Sequence, residues 1–112
     1  MRNLKVIKEH YMKDEKEYNC YCLRGVVRGK DVRVQLLPPD IQGYTLLDIV
    51  FGEENEADFI VTPFEFKDDK GNVIAGNSYS VRSIGDQGEI YECKVIPAKV
   101  SDKTLIALLL RD

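Results

Sequence analysis

Apolar and polar residues alternate along most of this chain, and turn-forming residues interrupt the alternation at short intervals. Val32, Val34 and Leu36, for example, are separated by Arg33 and Gln35. A period of two is typical of a strand with one buried face. The pattern predicts about eight strands, at 4–7, 18–27, 32–36, 44–51, 59–66, 79–84, 90–96 and 105–110.

Turn signals separate these segments. Charged turns are predicted at 13–16 and 67–72, and glycine-containing turns at 28–31 and 85–88. Prolines follow two of the alternating segments, Pro38 with Pro39 in the first half and Pro97 in the second. Because proline offers no N–H to a neighbouring strand, these residues are expected to end their strands.

The order of turn, strand, proline and apolar segment occurs twice. At an offset of 58 Tyr21 aligns with Tyr79, and at an offset of 59 Pro38 aligns with Pro97. We therefore predict one domain over 1–112, built from pseudo-repeats at roughly 4–51 and 58–110. The alternative is that regular alternation and regular turns are common to all small antiparallel β proteins.

The last segment of each half, 44–51 and 105–110, is apolar on both faces, which is typical of a strand covered on both sides. The sequence therefore predicts an all-β fold, as a small barrel or a two-layer sandwich of two pseudo-repeated halves. A competing prediction is a C-terminal helix, with Ser101 as N-cap and Leu105, Leu108 and Leu109 at helical spacing. That helix would make the fold α+β.

Composition places the protein among ordinary globular domains. The 112 residues are 44% hydrophobic and 31% charged, and the net charge of −3 argues against nucleic-acid binding by the whole surface but permits a local basic patch. The N-terminus lacks the apolar run of a signal peptide, and no segment reaches about 18 apolar residues. We expect a cytoplasmic protein without a membrane partner, and an odd number of cysteines fits that compartment.

Signals for catalysis are weak, so we expect a protein that is not an enzyme and has no cofactor. The chain has one histidine, His10, and none of the common catalytic or phosphate-binding motifs. Cys20, Cys22, Cys93 and His10 add up to four potential zinc ligands. Structural zinc sites favour Cys-x₂₋₄-Cys, however, and Cys93 aligns with an inward strand position. Buried free cysteines and no metal are therefore the prediction.

The most distinctive charge pattern is a basic hairpin, defined by Arg24, Arg28, Lys30 and Arg33 and opposed only by Asp31. It could contact phosphates as a β-ribbon or as one face of a barrel. Three tyrosines are candidates for stacking on bases: Tyr18, Tyr21 and Tyr44. The alternative is a solvated hairpin whose arginines discourage pairing between sheet edges.

An acidic loop follows the first apolar segment and is defined by Glu53, Glu54, Glu56 and Asp58. It could bind a cation or present negative charge to a basic protein partner. It lacks the alternating Asp/Asn ligands of a calcium loop. A solvated loop without a partner is the alternative.

The segment 79–100, YSVRSIGDQGEIYECKVIPAKV, has a Tyr-x-apolar-basic-Ser start at Tyr79, a turn with Gly85 and Gly88, an alternating strand and a Pro97-Ala98 stop. In these features it resembles the YdcP-like family of small proteins carried by integrative and conjugative elements of Gram-positive bacteria. The resemblance implies a mobile-element or phage setting and an accessory role. It transfers no catalytic residue.

The sequence therefore predicts a non-enzymatic accessory or regulatory binding module of a mobile genetic element or phage. The first hypothesis is contact with nucleic acid through the basic hairpin. The alternative is a protein-binding inhibitor, for example of a host defence nuclease, that uses the acidic loop. A third hypothesis is a small enzyme or metal protein that uses His10 and the cysteines.

Overall fold

The computed structural model describes residues 3–111. Six strands and two helices follow one another in the order β1 (Lys5–Lys13), β2 (Lys16–Val27), β3 (Lys30–Leu37), α1 (Gln42–Phe51), β4 (Glu56–Lys67), β5 (Val73–Ile84), β6 (Ile90–Pro97) and α2 (Asp102–Arg111). Three strands and a helix therefore occur twice in succession. These two groups, 5–51 and 56–111, match the predicted pseudo-repeats 4–51 and 58–110 to within two residues at each end, and the duplication itself stays a prediction.

The six strands form a closed antiparallel barrel in the order β1-β2-β3-β6-β5-β4. Each half is a three-stranded meander, and two short seams join the halves. One seam pairs three residues of β1 with three of β4, and the other pairs two residues of β3 with two of β6. The predicted small barrel is confirmed, and closure rules out the sandwich.

Two hairpins extend beyond the seams. β1 pairs with β4 only over its first residues, and β2 pairs with β3 only from Tyr21 onward. Within the described range 3–111, no further strand therefore lies beside the end of the β1–β2 hairpin. The β4–β5 hairpin extends in the same way on the other half. The radius of gyration is consequently 15.4 Å, against about 13 Å for a spherical domain of this length.

The segment 44–51, predicted as a strand, is part of helix α1, so that prediction was wrong. Leu47, Val50 and Phe51 are buried at helical spacing, whereas strand spacing would alternate. The C-terminal segment is also a helix, which confirms the α+β alternative. Ile106 and Leu109 are its fully buried residues, three positions apart. The barrel has six strands rather than eight for these two reasons.

Each helix packs mainly on strands of the opposite half. α1 lies against β4, β5 and β6, and α2 lies against β2 and β3. Together with inward strand residues such as Leu23 and Val81, the helices form one hydrophobic core inside the barrel. The two halves therefore share a core that neither could complete alone.

Candidate nucleic-acid interface

The outer face of β1, β2 and β3 brings together two of the four residues of the predicted basic hairpin. Leu23 and Val34 point into the core, so their sequence neighbours on β2 and β3 point outward. Arg24 and Arg33 are direct cross-strand partners on this outer face, and Glu9 of β1 lies beside them. The predicted proximity of Arg24 and Arg33 is therefore seen in the structure.

Glu9 is shared by two guanidinium groups. Arg24 Nη2 lies 2.7 Å from Glu9 Oε1, and Arg33 Nη2 lies 3.5 Å from Glu9 Oε2. Arg33 Nη2 also donates to Cys20 Sγ at 2.9 Å. One carboxylate therefore balances only half of the positive charge of the pair, and both arginines remain about half exposed.

The other two basic residues lie at the tip of the β2–β3 hairpin. Arg28 and Gly29 form its two-residue turn, both with positive φ (53° and 79°), as a tight hairpin turn requires. Lys30 begins β3 and is exposed, like Arg28. A cavity of about 510 Å³, lined by Arg24, Gly25, Val26, Asp31, Val32 and Arg33, lies between this tip and the arginine pair.

Of the three tyrosines proposed for base stacking, only Tyr18 shares this face. Its ring stacks on that of Tyr11, its cross-strand partner, with centroids 5.5 Å apart, and both rings are exposed. Tyr11 was not among the residues that the sequence predicted for base stacking. The tight turn at 13–16 aligns positions 11 and 18 across the hairpin, and this alignment was the signal that could have identified it.

Tyr21 is buried, so the prediction that it could stack on a base was wrong. Its ring packs against Phe51, and its hydroxyl donates to Asp48 Oδ1 at 3.5 Å. Burial, and next the nearby Asp48 carboxylate, raise the pKa of Tyr21 to about 12. Tyr44 is exposed, but it lies on α1 rather than on the basic face.

The second half treats its corresponding arginine differently. There Arg82, which aligns with Arg24 at the offset of 58, has Glu92 as its cross-strand partner. Arg82 Nη2 lies 2.7 Å from Glu92 Oε1, so this arginine is neutralised one to one. The two meanders share a backbone arrangement but differ in the charge that they present.

The acidic loop divides into an exposed and a paired part. Glu53 and Glu54 lie between α1 and β4 and are exposed. Asp58, inside β4, forms an ion pair with Lys5 of β1, and this bond, with the charges of Asp58 and Glu56, raises the pKa of Lys5. The loop therefore presents less negative charge than its four carboxylates suggest.

All three cysteines are buried, as predicted, but only two of the four potential zinc ligands are neighbours. Cys20 and Cys22 lie on β2 with their sulfur atoms 3.1 Å apart. Cys93 belongs to the core, where its thiol contacts the carbonyl of Gly43. His10 projects from the opposite face of the β1–β2 hairpin, where its Nδ1 lies 3.2 Å from a carboxylate oxygen of Glu17.

Comparison of the chain with protein-family models, with curated proteins and with solved structures found no match. Neither α1 nor α2, the helices of the described range 3–111, has the length and apolar character needed to cross a bilayer.

Proposed function

We propose that this protein is a non-enzymatic accessory or regulatory binding module of a mobile genetic element or phage. In this proposal it works in the cytoplasm and contacts single-stranded nucleic acid through the outer face of β1–β2–β3. The mobile-element setting rests on the resemblance of 79–100 to YdcP-like proteins. The nucleic-acid contact rests on the geometry of the face.

The observation that carries the proposal is the placement of exposed tyrosine rings and incompletely neutralised arginines on one sheet face. Tyr11 and Tyr18 offer a π surface, and Arg24 and Arg33 share a single carboxylate. Proteins that bind single strands without sequence readout combine a positive surface along the backbone with aromatic rings under the bases. Single-stranded chains suit a sheet face because their bases are free to stack.

Binding of a fluorescent oligothymidine, followed by anisotropy over a range of salt concentrations, tests the proposal. If the four basic residues each neutralise one phosphate, the slope of log Kobs against log salt is about −2.8. The affinity then falls about fiftyfold between 50 and 200 mM salt. Replacing Arg28 and Arg33 by Gln should reduce the slope by about 1.4, because each lost contact removes about 0.7.

Two matched controls separate this face from general charge and general aromaticity. Lys67→Gln with Lys70→Gln removes two exposed positive charges from the other hairpin and should leave the slope unchanged. Tyr18→Ala should weaken binding by about 1–3 kcal/mol, whereas Tyr44→Ala should not. Absence of binding at low salt, or equal losses in the lysine and arginine variants, would refute the proposal.

The alternative function, inhibition of a basic protein through the acidic loop, rests on the exposure of Glu53 and Glu54. The pairing of Asp58 with Lys5 weakens it, because it leaves fewer free carboxylates. In the binding experiment this alternative predicts no oligonucleotide binding. It further predicts salt-sensitive binding to a basic nuclease that is lost in the variant Glu53→Gln with Glu54→Gln.

A further inference from the structure

Two thiols and one carboxylate form a compact cluster beneath the basic face. Glu9 of β1 and Cys20 of β2 are cross-strand partners, and Cys22 follows Cys20 on the same face of β2. The sulfur atoms are 3.1 Å apart, and a carboxylate oxygen of Glu9 and both sulfurs lie within 4.8 Å of one another. We refer to these three residues as the thiol cluster.

A cationic side chain contacts the thiol cluster, and a cavity beside the cluster provides a path to solvent. The guanidinium of Arg33 already lies within 2.9 Å of Cys20 Sγ and 3.5 Å of Glu9 Oε2. A cavity of about 290 Å³ opens beside it, lined by Glu9, His10, Tyr11, Cys20, Arg33 and Gln35. A small cation could therefore reach Cys20 and Glu9 without unfolding of the barrel.

We propose that the thiol cluster binds one zinc ion through the sulfur atoms of Cys20 and Cys22 and a carboxylate oxygen of Glu9. Zinc prefers such sulfur and oxygen ligands in tetrahedral geometry, with Zn–S bonds of about 2.3 Å. That geometry places two ligating sulfurs about 3.8 Å apart. The present separation of 3.1 Å requires the sulfurs to move apart by about 0.7 Å to reach that geometry.

Charge balance supports this site. Each thiol gives its proton to solvent and donates a sulfur lone pair to zinc, so that Zn²⁺ replaces two protons. The cluster, with the Glu9 carboxylate, carries one negative charge before and after binding. Arg24 and Arg33 therefore remain its counterions, and no unpaired charge is created. The fourth zinc position is left for water from the cavity.

A disulfide between Cys20 and Cys22 is the competing chemistry for these two thiols. Residues two apart on a strand have Cα atoms about 6.6–6.8 Å apart, because each residue advances about 3.3–3.4 Å. This separation is at the upper limit of disulfide geometry, where the bond is strained. A disulfide would require the Cα atoms of Cys20 and Cys22 to move closer together, whereas zinc binding would not. Zinc binding is therefore favoured over oxidation of the two thiols.

Titration of the reduced, full-length protein with Co²⁺ and then Zn²⁺ tests the site. We expect a thiolate-to-cobalt absorption band that saturates at one equivalent and disappears when zinc displaces cobalt. Cys20→Ala and Cys22→Ala should each abolish the band, and Glu9→Gln should weaken cobalt binding at least about tenfold. Cys93→Ala is the matched control, because Cys93 is equally buried but lies outside the cluster.

Several results would overturn the inference. One is the absence of a charge-transfer band in the wild-type protein at excess cobalt. This result does not depend on whether any variant folds. Persistence of the band in Cys22→Ala, or its loss in Cys93→Ala, would place the metal elsewhere. The protein purified without reductant could also have a mass two hydrogens lower than the reduced chain and bind no metal after reduction. That result would assign Cys20 and Cys22 to a disulfide. Far-UV circular dichroism establishes that each variant is folded.

Discussion

The contact between Gly25 and Leu109 provides a sharp test of how α2 completes the barrel. Gly25 lies on β2, and a Cβ built there would lie within 3.0 Å of the Leu109 side chain, a separation that real Cβ atoms essentially never show. Leu109 is fully buried, so its side chain has little room to move away. We predict that Gly25→Ala destabilises the protein and that Leu109→Ala removes most of this effect.

The magnitudes follow from the two packing defects. Overpacking of a filled core by one methyl group costs about 1–3 kcal/mol, which is the expected loss of unfolding free energy for Gly25→Ala. Leu109→Ala should cost about 2–5 kcal/mol, because it removes buried methyl groups and leaves a cavity. In the double variant the new methyl group occupies part of that cavity. The double variant should therefore be at least about 1 kcal/mol more stable than the sum of the single effects predicts.

Urea unfolding of the wild type, the two single variants and the double variant, followed by circular dichroism, completes the cycle. The control pairs Gly25→Ala with Leu108→Ala, because Leu108 is on the same helix but only half-buried. The control pair should be additive within about 0.5 kcal/mol. If the effects of Gly25→Ala and Leu109→Ala were also additive within about 0.5 kcal/mol, the contact between these residues would be refuted. The placement of α2 against β2 would be refuted with it.

Two further predictions concern Tyr21 and Gly52. Because burial raises the pKa of Tyr21 from 10 to about 12, the folded state keeps a proton that the unfolded state loses. Stability should therefore fall by about 2 kcal/mol between pH 10 and 12. In urea unfolding at these pH values, Tyr21→Phe should lack this part of the decline, and an identical decline in that variant would contradict the assignment. Gly52 ends α1 with φ 53° and ψ −122° and has open space around its Cα. Gly52→Ala should therefore lower the free energy of unfolding by about 1–3 kcal/mol through backbone strain alone. Glu53→Ala should leave it nearly unchanged in the same urea measurement.

Most strands could be predicted because barrel strands have one buried and one solvated face. Val34 and Leu36 are fully buried, while Arg33 directly before Val34 is exposed, and the alternation of apolar and polar residues reflects this difference. The hairpin turns were predictable for a related reason. Gly29 and Gly88 have positive φ, a conformation that glycine adopts at little cost.

Helix α1 was not predicted because its exposed side contains apolar residues. Leu46 and Ile49 are about half exposed, so the helix has no clean polar face, and the run resembles a strand buried on both sides. Gly43 directly precedes the segment 44–51 that was predicted as a strand. It is instead the buried residue in the first turn of α1 that lies against Pro38, where any Cβ would collide with the proline ring.

The candidate site was predictable in part. The predicted turn at 28–31 placed Arg24 and Arg33 on one hairpin correctly, because cross-strand partners follow from the position of the turn. The role of Glu9 was not predicted, because the first strand was predicted only over 4–7, whereas β1 extends to Lys13 and pairs with β2 in the register that the turn at 13–16 sets. The same register brings Glu9 to Cys20, so the thiol cluster was not predicted for the same reason.

Each helix packs on the opposite half of the barrel, and this explains why both 44–51 and 105–110 were predicted as strands. Each half was interpreted as a meander that must supply its own last apolar segment as a strand. In the structure that segment crosses to the other half: Leu47 of α1 and Ile106 of α2 are both fully buried in the shared core. The secondary structure of an apolar segment that packs on distant strands is determined by those contacts more than by its own sequence. The local pattern alone therefore could not identify these segments as helices.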